Sequence, residues 1–179
     1  LTAAILFPLI ARVFHLRALV FVVFLLVIAV GAWYVITPRA NIADVAVTVF
    51  GPIYTSLSFS AIVLIRNSDP GLSGAVLAFG VMASIWANDA MAYLVGSRIG
   101  IHKMAPRISP KKSWEGFWGG MVSSMIVWIV VGIFLQSIPI PLAIAIGLIE
   151  GISSVIGDLF ESRIKRGVGI KDSGNIMPG

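Results

Sequence analysis

The sequence predicts an all-α, polytopic integral membrane protein. Of its 179 residues, 58% are hydrophobic and only 12% are charged, and the mean hydropathy is +0.99. A soluble domain of this size does not need so much apolar sequence to fill its core. The apolar residues also form runs long enough to cross a bilayer, and short polar segments separate these runs. We therefore expect about five complete transmembrane helices and one partial helix.

The N-terminal part, residues 1–69, reads as generic transmembrane helices. Its clearest span consists of nineteen almost wholly apolar residues that end beside Trp33 and Tyr34, residue types that favour the membrane interface. Gly51-Pro52 is expected to bend the next span. The expected segments are a partial span at 1–11, a basic loop from Arg12 to Arg17, and complete spans at 18–36 and 45–65.

The C-terminal part, residues 70–179, contains three further spans and the longest polar loop. The expected segments are spans at 72–96, 114–136 and 142–160, the loop at 97–113, and a polar closing stretch at 157–179. Glycines four residues apart, such as Gly116 and Gly120, indicate close helix packing and suggest no chemistry. Because the chain begins on Leu1 inside an apolar run and stops at Gly179, we expect it to be a fragment of a longer protein.

The positive charge is unevenly placed along the chain. The net charge is +5, and nine of the thirteen Lys and Arg residues lie from Arg98 onward. The loop 97–113 has five basic residues and no acid, and the tail from Arg163 follows two spans later, so the positive-inside rule places both in the cytoplasm. Arg12 and Arg17 would then lie outside, against the same rule. Basic segments beside membrane helices meet lipid headgroups or phosphates more often than nucleic acid, so no nucleic-acid partner is expected.

A polar stripe runs along the last predicted span. At helical spacing its members share one face, over a length of about 22 Å. The members are Glu150, Ser153, Ser154, Gly157, Asp158, Glu161, Ser162 and Lys165. A carboxylate near the bilayer centre costs about 2.5–3.5 kcal/mol on insertion scales, which favours a functional cavity. The same stripe could instead form a packed, partly hydrated seam between helices.

Two further polar features precede this stripe. Asn88-Asp89 places a carboxylate inside a span, although a hydrogen bond to a neighbouring helix would also explain it. The run Ser109-Pro-Lys-Lys-Ser-Trp-Glu-Gly116 combines two adjacent ammonium groups with two hydroxyls at the start of a helix, which suits a phosphate. A basic flank at a helix end is the alternative interpretation.

The residue types in these features suit phosphoryl chemistry. Carboxylates hold Mg²⁺, and Lys and Arg neutralise phosphate oxygens. Gly167, Gly169 and Gly174 would let the backbone approach a phosphate closely. The sequence has neither a P-loop nor a kinase glycine-rich motif. With no cysteine and two histidines far apart, a zinc site is not expected.

Three stretches resemble the motifs of one enzyme family. The run Ser162-Arg-Ile-Lys-Arg166, followed after four residues by Lys171-Asp-Ser-Gly174 and then Pro178-Gly179, resembles the signature of phosphatidate cytidylyltransferases, also called CDP-diacylglycerol synthases. Asn88-Asp-Ala-Met-Ala-Tyr93 and the run from Ser109 to Gly116 are similar to two further family stretches, in the expected order. The resemblance covers residues 70–179.

Two departures from the family pattern accompany this resemblance. Met177 stands where the family usually has Leu, Ile or Phe. The family signature also continues with His-Gly-Gly and Asp-Arg-x-Asp, and the sequence stops just before that point. In the family, a carboxylate at the position of Asp158 shares a metal centre with an aspartate of that continuation. The resemblance therefore implies a metal site that these residues form only in part.

The resemblance implies an enzyme of an inner or plasma membrane that condenses CTP with phosphatidic acid, giving CDP-diacylglycerol and pyrophosphate. Residues 70–179 would be its catalytic region, with the active site facing the cytoplasm. Mg²⁺ would be the cofactor, held by Asp158, with a second cation in a paired site. CTP, phosphatidic acid and membrane lipid would be its partners, and a homodimer is compatible with the resemblance. The implied catalytic residues are Asp158, Lys165, Arg166, Lys171 and Asp172, and the implied substrate-binding residues are Asp89, Ser109, Lys111, Lys112, Ser113, Glu115 and Ser162.

Two other functions fit the same residue types. A CTP-dependent lipid kinase would need similar phosphate-binding groups, and Mg²⁺-dependent release of pyrophosphate from CTP would distinguish the two enzymes. A secondary transporter would also have intramembrane carboxylates and broken helices. In this sequence the polar groups cluster at one membrane face rather than at the midplane, which argues against a transporter.

Overall fold

The computed structural model describes residues 2–69 and 71–170, and almost all of them are helical. Within these residues, five helical segments are long and apolar enough to cross a membrane, which confirms the expected all-α, polytopic architecture. These segments are Leu16–Ile36, Ile42–Asn67, Leu72–Ile99, Trp114–Leu135 and Ile140–Gly167. The chain divides into two compact units, Leu1–Ala78 and Phe79–Gly179.

The first unit begins with one long helix, α1 (Thr2–Ile36). The expected break at Arg12 to Arg17 is wrong, because the helix runs through it. Neither glycine nor proline occurs between residues 9 and 30, and arginine is a good helix former, so nothing there stops the helix. The apolar stretch Ile5–Phe14 is therefore continuous with the span that follows it rather than a separate partial span.

The second membrane segment is assembled from α2 (Ile42–Pro52), a π-helical turn (Ile53–Leu57) and α3 (Ser58–Asn67). Asn41 and Asp44 begin it with a reciprocal capping box, in which each side chain accepts a hydrogen bond from the other residue's backbone N–H. The π-helical turn directly follows Gly51-Pro52, the dipeptide at which a bend is predicted. Since Pro52 has no N–H to donate, the regular hydrogen-bond ladder is interrupted there.

The core of the first unit is formed where α1 packs against the second segment. Phe7, Ala11 and Leu19 are buried at its centre. Partly buried hydrophobic residues surround them, namely Val22, Val23, Leu26, Leu57, Val63 and Leu64. The Asn67 side chain donates a hydrogen bond of 3.5 Å to the Arg12 carbonyl, so the end of α3 lies beside α1.

The second unit holds most of α4 (Leu72–Ile99), together with α5 (Trp114–Leu135) and α6 (Ile140–Gly167). The expected polar loop 97–113 is instead a helix end and a β-hairpin, since α4 continues to Ile99 and two antiparallel strands follow. The strands are β1 (Lys103–Ala105) and β2 (Ser109–Ser113). A hydrogen bond of 3.1 Å from the Ile108 N–H to the Ala105 carbonyl closes the turn, and proline favours the second turn position, which Pro106 occupies.

Glycines bring the three helices of the second unit together, as the small-residue spacing predicts. A Cβ added to Gly116 on α5 would lie 2.5 Å from the Ala92 carbonyl oxygen on α4. A Cβ added to Gly147 on α6 would lie 2.7 Å from the Met125 Cα on α5. Both distances are too short for any side chain, so the backbones approach as closely as glycine permits.

Candidate active site

A cavity of about 290 Å³ lies in the second unit, at the end of the three helices that carries the hairpin. This volume is close to the lower end of the range for small-molecule sites. All three helices and both strands contribute side chains to it. The lining residues are Asn88, Asp89, Ala92, Tyr93, Met104, Lys111, Lys112, Ser113, Gly116, Phe117, Val155 and Asp158.

Two carboxylates and two ammonium groups meet at this cavity. Lys112 on β2 forms an ion pair with the Asp158 carboxylate on α6. Asp89 on α4 lies close enough to interact electrostatically with both Lys112 and Asp158. Lys111 also lines the cavity. Five of the residues expected at the site, Asp89, Lys111, Lys112, Ser113 and Asp158, are therefore brought together, although they come from three separate elements.

Ser113 joins the hairpin to α5. It is the N-cap of that helix, and its hydroxyl oxygen accepts a hydrogen bond of 3.2 Å from the Gly116 N–H. The residue is 3% exposed, and added Cβ atoms on Gly96 and Gly116 would lie 3.0 and 3.2 Å from its hydroxyl oxygen. The hydroxyl hydrogen is still available to a ligand, because the oxygen acts only as an acceptor in the cap.

Glu115 is placed differently from what the sequence suggested, since it does not line the cavity. Both of its carboxylate oxygens accept from the backbone N–H of His102, at 3.2 and 3.3 Å. The imidazole Nδ1 of His102 lies 2.6 Å from Glu115 Oε1. The Trp114 N–H in turn donates to the His102 carbonyl at 2.9 Å. These contacts fasten the start of the hairpin to the first turn of α5.

A polar layer lies deeper between the helices. Asn88 is buried, and its side-chain N–H donates a hydrogen bond of 3.0 Å to the Ser124 hydroxyl on α5. Its Oδ1 is buried and has no hydrogen-bond partner among the residues that the structure describes, and Asn88 is also one of the residues that line the cavity. On α6, Glu150 accepts a hydrogen bond from the indole N–H of Trp128. Part of the polar stripe on α6 is therefore an interhelical seam, as the alternative interpretation proposed.

Among the described residues, the others expected at the site do not line the cavity. Ser109 pairs with Ala105 at the far end of the hairpin. Lys165 forms an ion pair of 2.8 Å with Glu161 one turn earlier on α6. Ser162 and Arg166 lie on the same last turns of α6. Lys171 and Asp172 lie outside the described residues.

Several residues that shape the site escaped the sequence analysis. The sequence suggests for His102 only the question of metal binding, whereas its partner in the structure is Glu115, thirteen positions away. Phe117 and Val155 line the cavity, but their sequence context does not separate them from other apolar residues. The pairing of Trp128 with Glu150 had a signal in the sequence, because a buried indole N–H needs a hydrogen-bond acceptor and Glu150 is an acid within the neighbouring span.

The donor set of the cavity fits Mg²⁺ bound together with a phosphate. Within residues 2–69 and 71–170 no group of three or more His, Cys, Asp and Glu residues could form a cage for a metal ion. Mg²⁺ does not need one, since it is usually held by one or two carboxylates together with substrate phosphates and water. Asp89 and Asp158 could supply those carboxylates, and Lys111 and Lys112 could face the phosphate oxygens.

Comparison with known proteins agrees with this chemistry. A model of the cytidylyltransferase family matches residues 1–179. A phosphatidate cytidylyltransferase of Mycobacterium bovis is 36% identical over 145 residues, which cover 80% of this chain and 46% of that protein. A phosphatidate cytidylyltransferase of Bacillus subtilis is 37% identical over 138 residues, covering 76% of this chain and 50% of that protein. An uncharacterized protein of Escherichia coli, YnbB, is 35% identical over 86% of this chain and 52% of its own length. The chain thus spans about half the length of the curated relatives it matches.

Proposed function

The chain belongs to the cytidylyltransferase family, and from that membership we propose that the intact protein transfers the cytidylyl group of CTP to phosphatidic acid. The observation that carries the proposal is the cavity where Lys111 and Lys112 meet Asp89 and Asp158. It lies at one end of three apolar helices that are each long enough to span a membrane. A lipid phosphate in the bilayer surface and a nucleotide from water could therefore meet there.

In this reaction an oxygen of the lipid phosphate attacks the α-phosphorus of CTP. The bond between the α-phosphorus and the oxygen that bridges to the β-phosphate breaks, and pyrophosphate leaves. Two phosphate anions repel each other by about 4 kcal/mol per pair of unit charges at 4 Å and an effective dielectric of 20. Lys111 and Lys112 would offset this repulsion by facing the non-bridging oxygens, and the Ser113 hydroxyl could donate to one of them.

Mg²⁺ is part of the same proposal, with Asp158 and Asp89 as its protein ligands. When bound, it would neutralise phosphate charge and make the α-phosphorus more electrophilic. Lys165, Arg166, Lys171 and Asp172 would add further phosphate and metal contacts, as the family resemblance implies. The second cation and a homodimer also remain parts of the proposal, and they can be measured on the intact protein by metal analysis and light scattering.

The cavity is proposed to face the cytoplasm, because the hairpin and the end of α6 carry most of the basic residues. Single cysteines in place of Lys103 and Gly169 would test this orientation, since the sequence has no cysteine of its own. Both positions should react with an impermeant thiol reagent only after the membrane is opened. Labelling of both from outside would reverse the orientation, and labelling from opposite sides would contradict a two-span hairpin over residues 114–160.

The decisive experiment uses CTP labelled at the α or the γ phosphate, with phosphatidic acid, Mg²⁺ and the intact protein. We expect the α label in the lipid product and the γ label in pyrophosphate. A γ-labelled lipid with release of CDP would identify a lipid kinase and refute the proposal. Absence of any labelled lipid product from a folded, membrane-inserted preparation would also count against it.

A further inference from the structure

The carboxylate of Glu115 binds the residue from which the hairpin starts. It accepts hydrogen bonds from the His102 backbone N–H with both oxygens and lies 2.6 Å from the His102 imidazole. We propose that Glu115 is a positioning residue, which holds the β-hairpin on α5 so that Lys111 and Lys112 face the cavity. This inference rests on the proposed function, because the cavity is taken to bind the phosphates of CTP.

The hairpin needs an external attachment of this kind. Its strands have three and five residues, and their register is irregular between Lys103 and Ala105. A two-stranded hairpin is marginally stable on its own. Residue 115, by contrast, belongs to the first turn of a helix whose neighbouring residues Gly116 and Gly120 are buried against α4. The attachment therefore joins a weak element to a rigid one.

The contact between Glu115 and His102 affects Lys111 and Lys112 through the backbone that connects these lysines to α5 and to the opposite strand. Lys112 is separated from the N-terminus of α5 only by Ser113, whose hydroxyl caps that helix. The opposite strand begins directly after His102, and Lys103 pairs with Ser113. The contact between His102 and Glu115 thus fixes the start of β1 and the end of β2 beside the first turn of α5. Without that contact the strand that bears Lys111 and Lys112 could tilt away from Asp158.

Two simpler roles explain Glu115 less well. A direct contact with nucleotide or metal would require a carboxylate in the cavity, and Glu115 does not line it. An acid in the first turn of a helix also interacts favourably with the helix dipole. That interaction would not require both oxygens to engage a residue thirteen positions earlier in the chain.

The test compares Glu115→Gln with Asp44→Asn in the intact protein. Asp44 makes the same kind of bond, a carboxylate accepting from a backbone N–H at a helix start, but it lies in the first unit. In Glu115→Gln we expect the KM for CTP to rise about tenfold, comparable to the loss of one charge-assisted hydrogen bond, while kcat changes little and Mg²⁺ binds no more weakly than in the wild type. In Asp44→Asn the KM should be unchanged. A lower melting temperature with an unchanged KM, or weaker binding of Mg²⁺, in Glu115→Gln would overturn the inference.

A double-mutant cycle tests whether Glu115 acts through the lysine. With Lys112→Ala already present, adding Glu115→Gln should raise the KM for CTP by much less than tenfold, because the residue it positions is gone. Fully additive effects would refute the positioning role. If Glu115→Gln does not accumulate, His102→Ala replaces it, since that change removes only the side-chain contact, and we expect a rise of about threefold.

A second measurement needs no activity at all. Arg107 is exposed in the hairpin turn and offers a trypsin site. Cleavage after Arg107 under native conditions should be several times faster in Glu115→Gln than in the wild type or in Asp44→Asn, because the released hairpin opens more often. Equal cleavage rates would refute the inference. If the wild-type protein fails to transfer a cytidylyl group, the proposed function fails, whereas this cleavage test of the attachment still stands.

Discussion

Replacing Lys112 by alanine should weaken the binding of CTP and strengthen the binding of Mg²⁺. Lys112 forms an ion pair with Asp158, the residue proposed to hold the metal. The ammonium group and Mg²⁺ would therefore compete for the same carboxylate. The same ammonium group is proposed to face a phosphate once the nucleotide is bound. One substitution then changes two affinities in opposite directions.

The expected change in Mg²⁺ affinity follows from the solvent exposure of the ion pair, and the expected change in the KM for CTP follows from the energy of a lysine–phosphate hydrogen bond. The side chains of Lys112 and Asp158 are 24% and 51% exposed, so solvent screens their attraction to about 0.2–1 kcal/mol. Removing Lys112 should accordingly tighten the apparent binding of Mg²⁺ by about 1.4- to 5-fold. A hydrogen bond between a lysine and a phosphate is worth about 1.5–3 kcal/mol, so the KM for CTP should rise by about 13- to 160-fold.

The assay is cytidylyl transfer by the intact protein, with Mg²⁺ and CTP titrated separately, and calorimetric titration of Mg²⁺ without nucleotide. Lys103→Ala is the matched control, because Lys103 lies in the same hairpin, carries the same charge and does not line the cavity. An unchanged KM for CTP in Lys112→Ala would mean that the basic pair only flanks a membrane helix. Weaker binding of Mg²⁺ would refute the competition for Asp158.

Two further predictions concern the metal ligand and the helix packing. Asp158→Asn should abolish turnover and leave the melting temperature in detergent nearly unchanged, since the carboxylate is half exposed; near-normal activity at saturating Mg²⁺ would contradict its role as a ligand. Gly147→Ala should destabilise the protein by about 1–3 kcal/mol, because the new Cβ would lie 2.7 Å from the Met125 Cα. Gly31→Ala, where an added Cβ meets no described atom within 4 Å, should instead be neutral or stabilising in the same thermal unfolding experiment.

The membrane spans could be predicted from the sequence because their signal is local. A bilayer requires about twenty consecutive apolar residues. Four of the five spans begin and end within a few residues of the predicted bounds, and the fifth, α6, differs only in that its C-terminal end extends further than predicted. The continuity of α1 does not follow from the charge pattern, because Arg12 and Arg17 resemble a polar boundary between two spans. Arginine has a high helix propensity, and charge alone does not end a helix.

The hairpin could not be predicted, because its residues have no preference for strands. Ser109-Pro-Lys-Lys-Ser113 consists of residue types that are depleted in or neutral to β-structure. Its conformation depends on contacts made elsewhere, at His102 and Glu115 and between Lys112 and Asp158. Each of these pairs joins different elements, so helical or strand periodicity within one segment cannot reveal them.

The small residues that suggested no chemistry turn out to determine where the chemistry lies. An aspartate side chain is short, so Asp89 on α4 and Asp158 on α6 can act on one ligand only if both helices lie close to α5. Gly116 and Gly120 permit that approach on one side of α5, where added Cβ atoms would meet Ala92 and Asn88. Gly147 and Gly151 permit the approach of α6, where added Cβ atoms would meet Met125 and Met121. Larger residues at these four positions would move the carboxylates of Asp89 and Asp158 apart, although neither aspartate would itself be substituted. The distance between the helices is thus as much a part of the candidate site as the charged groups that line it.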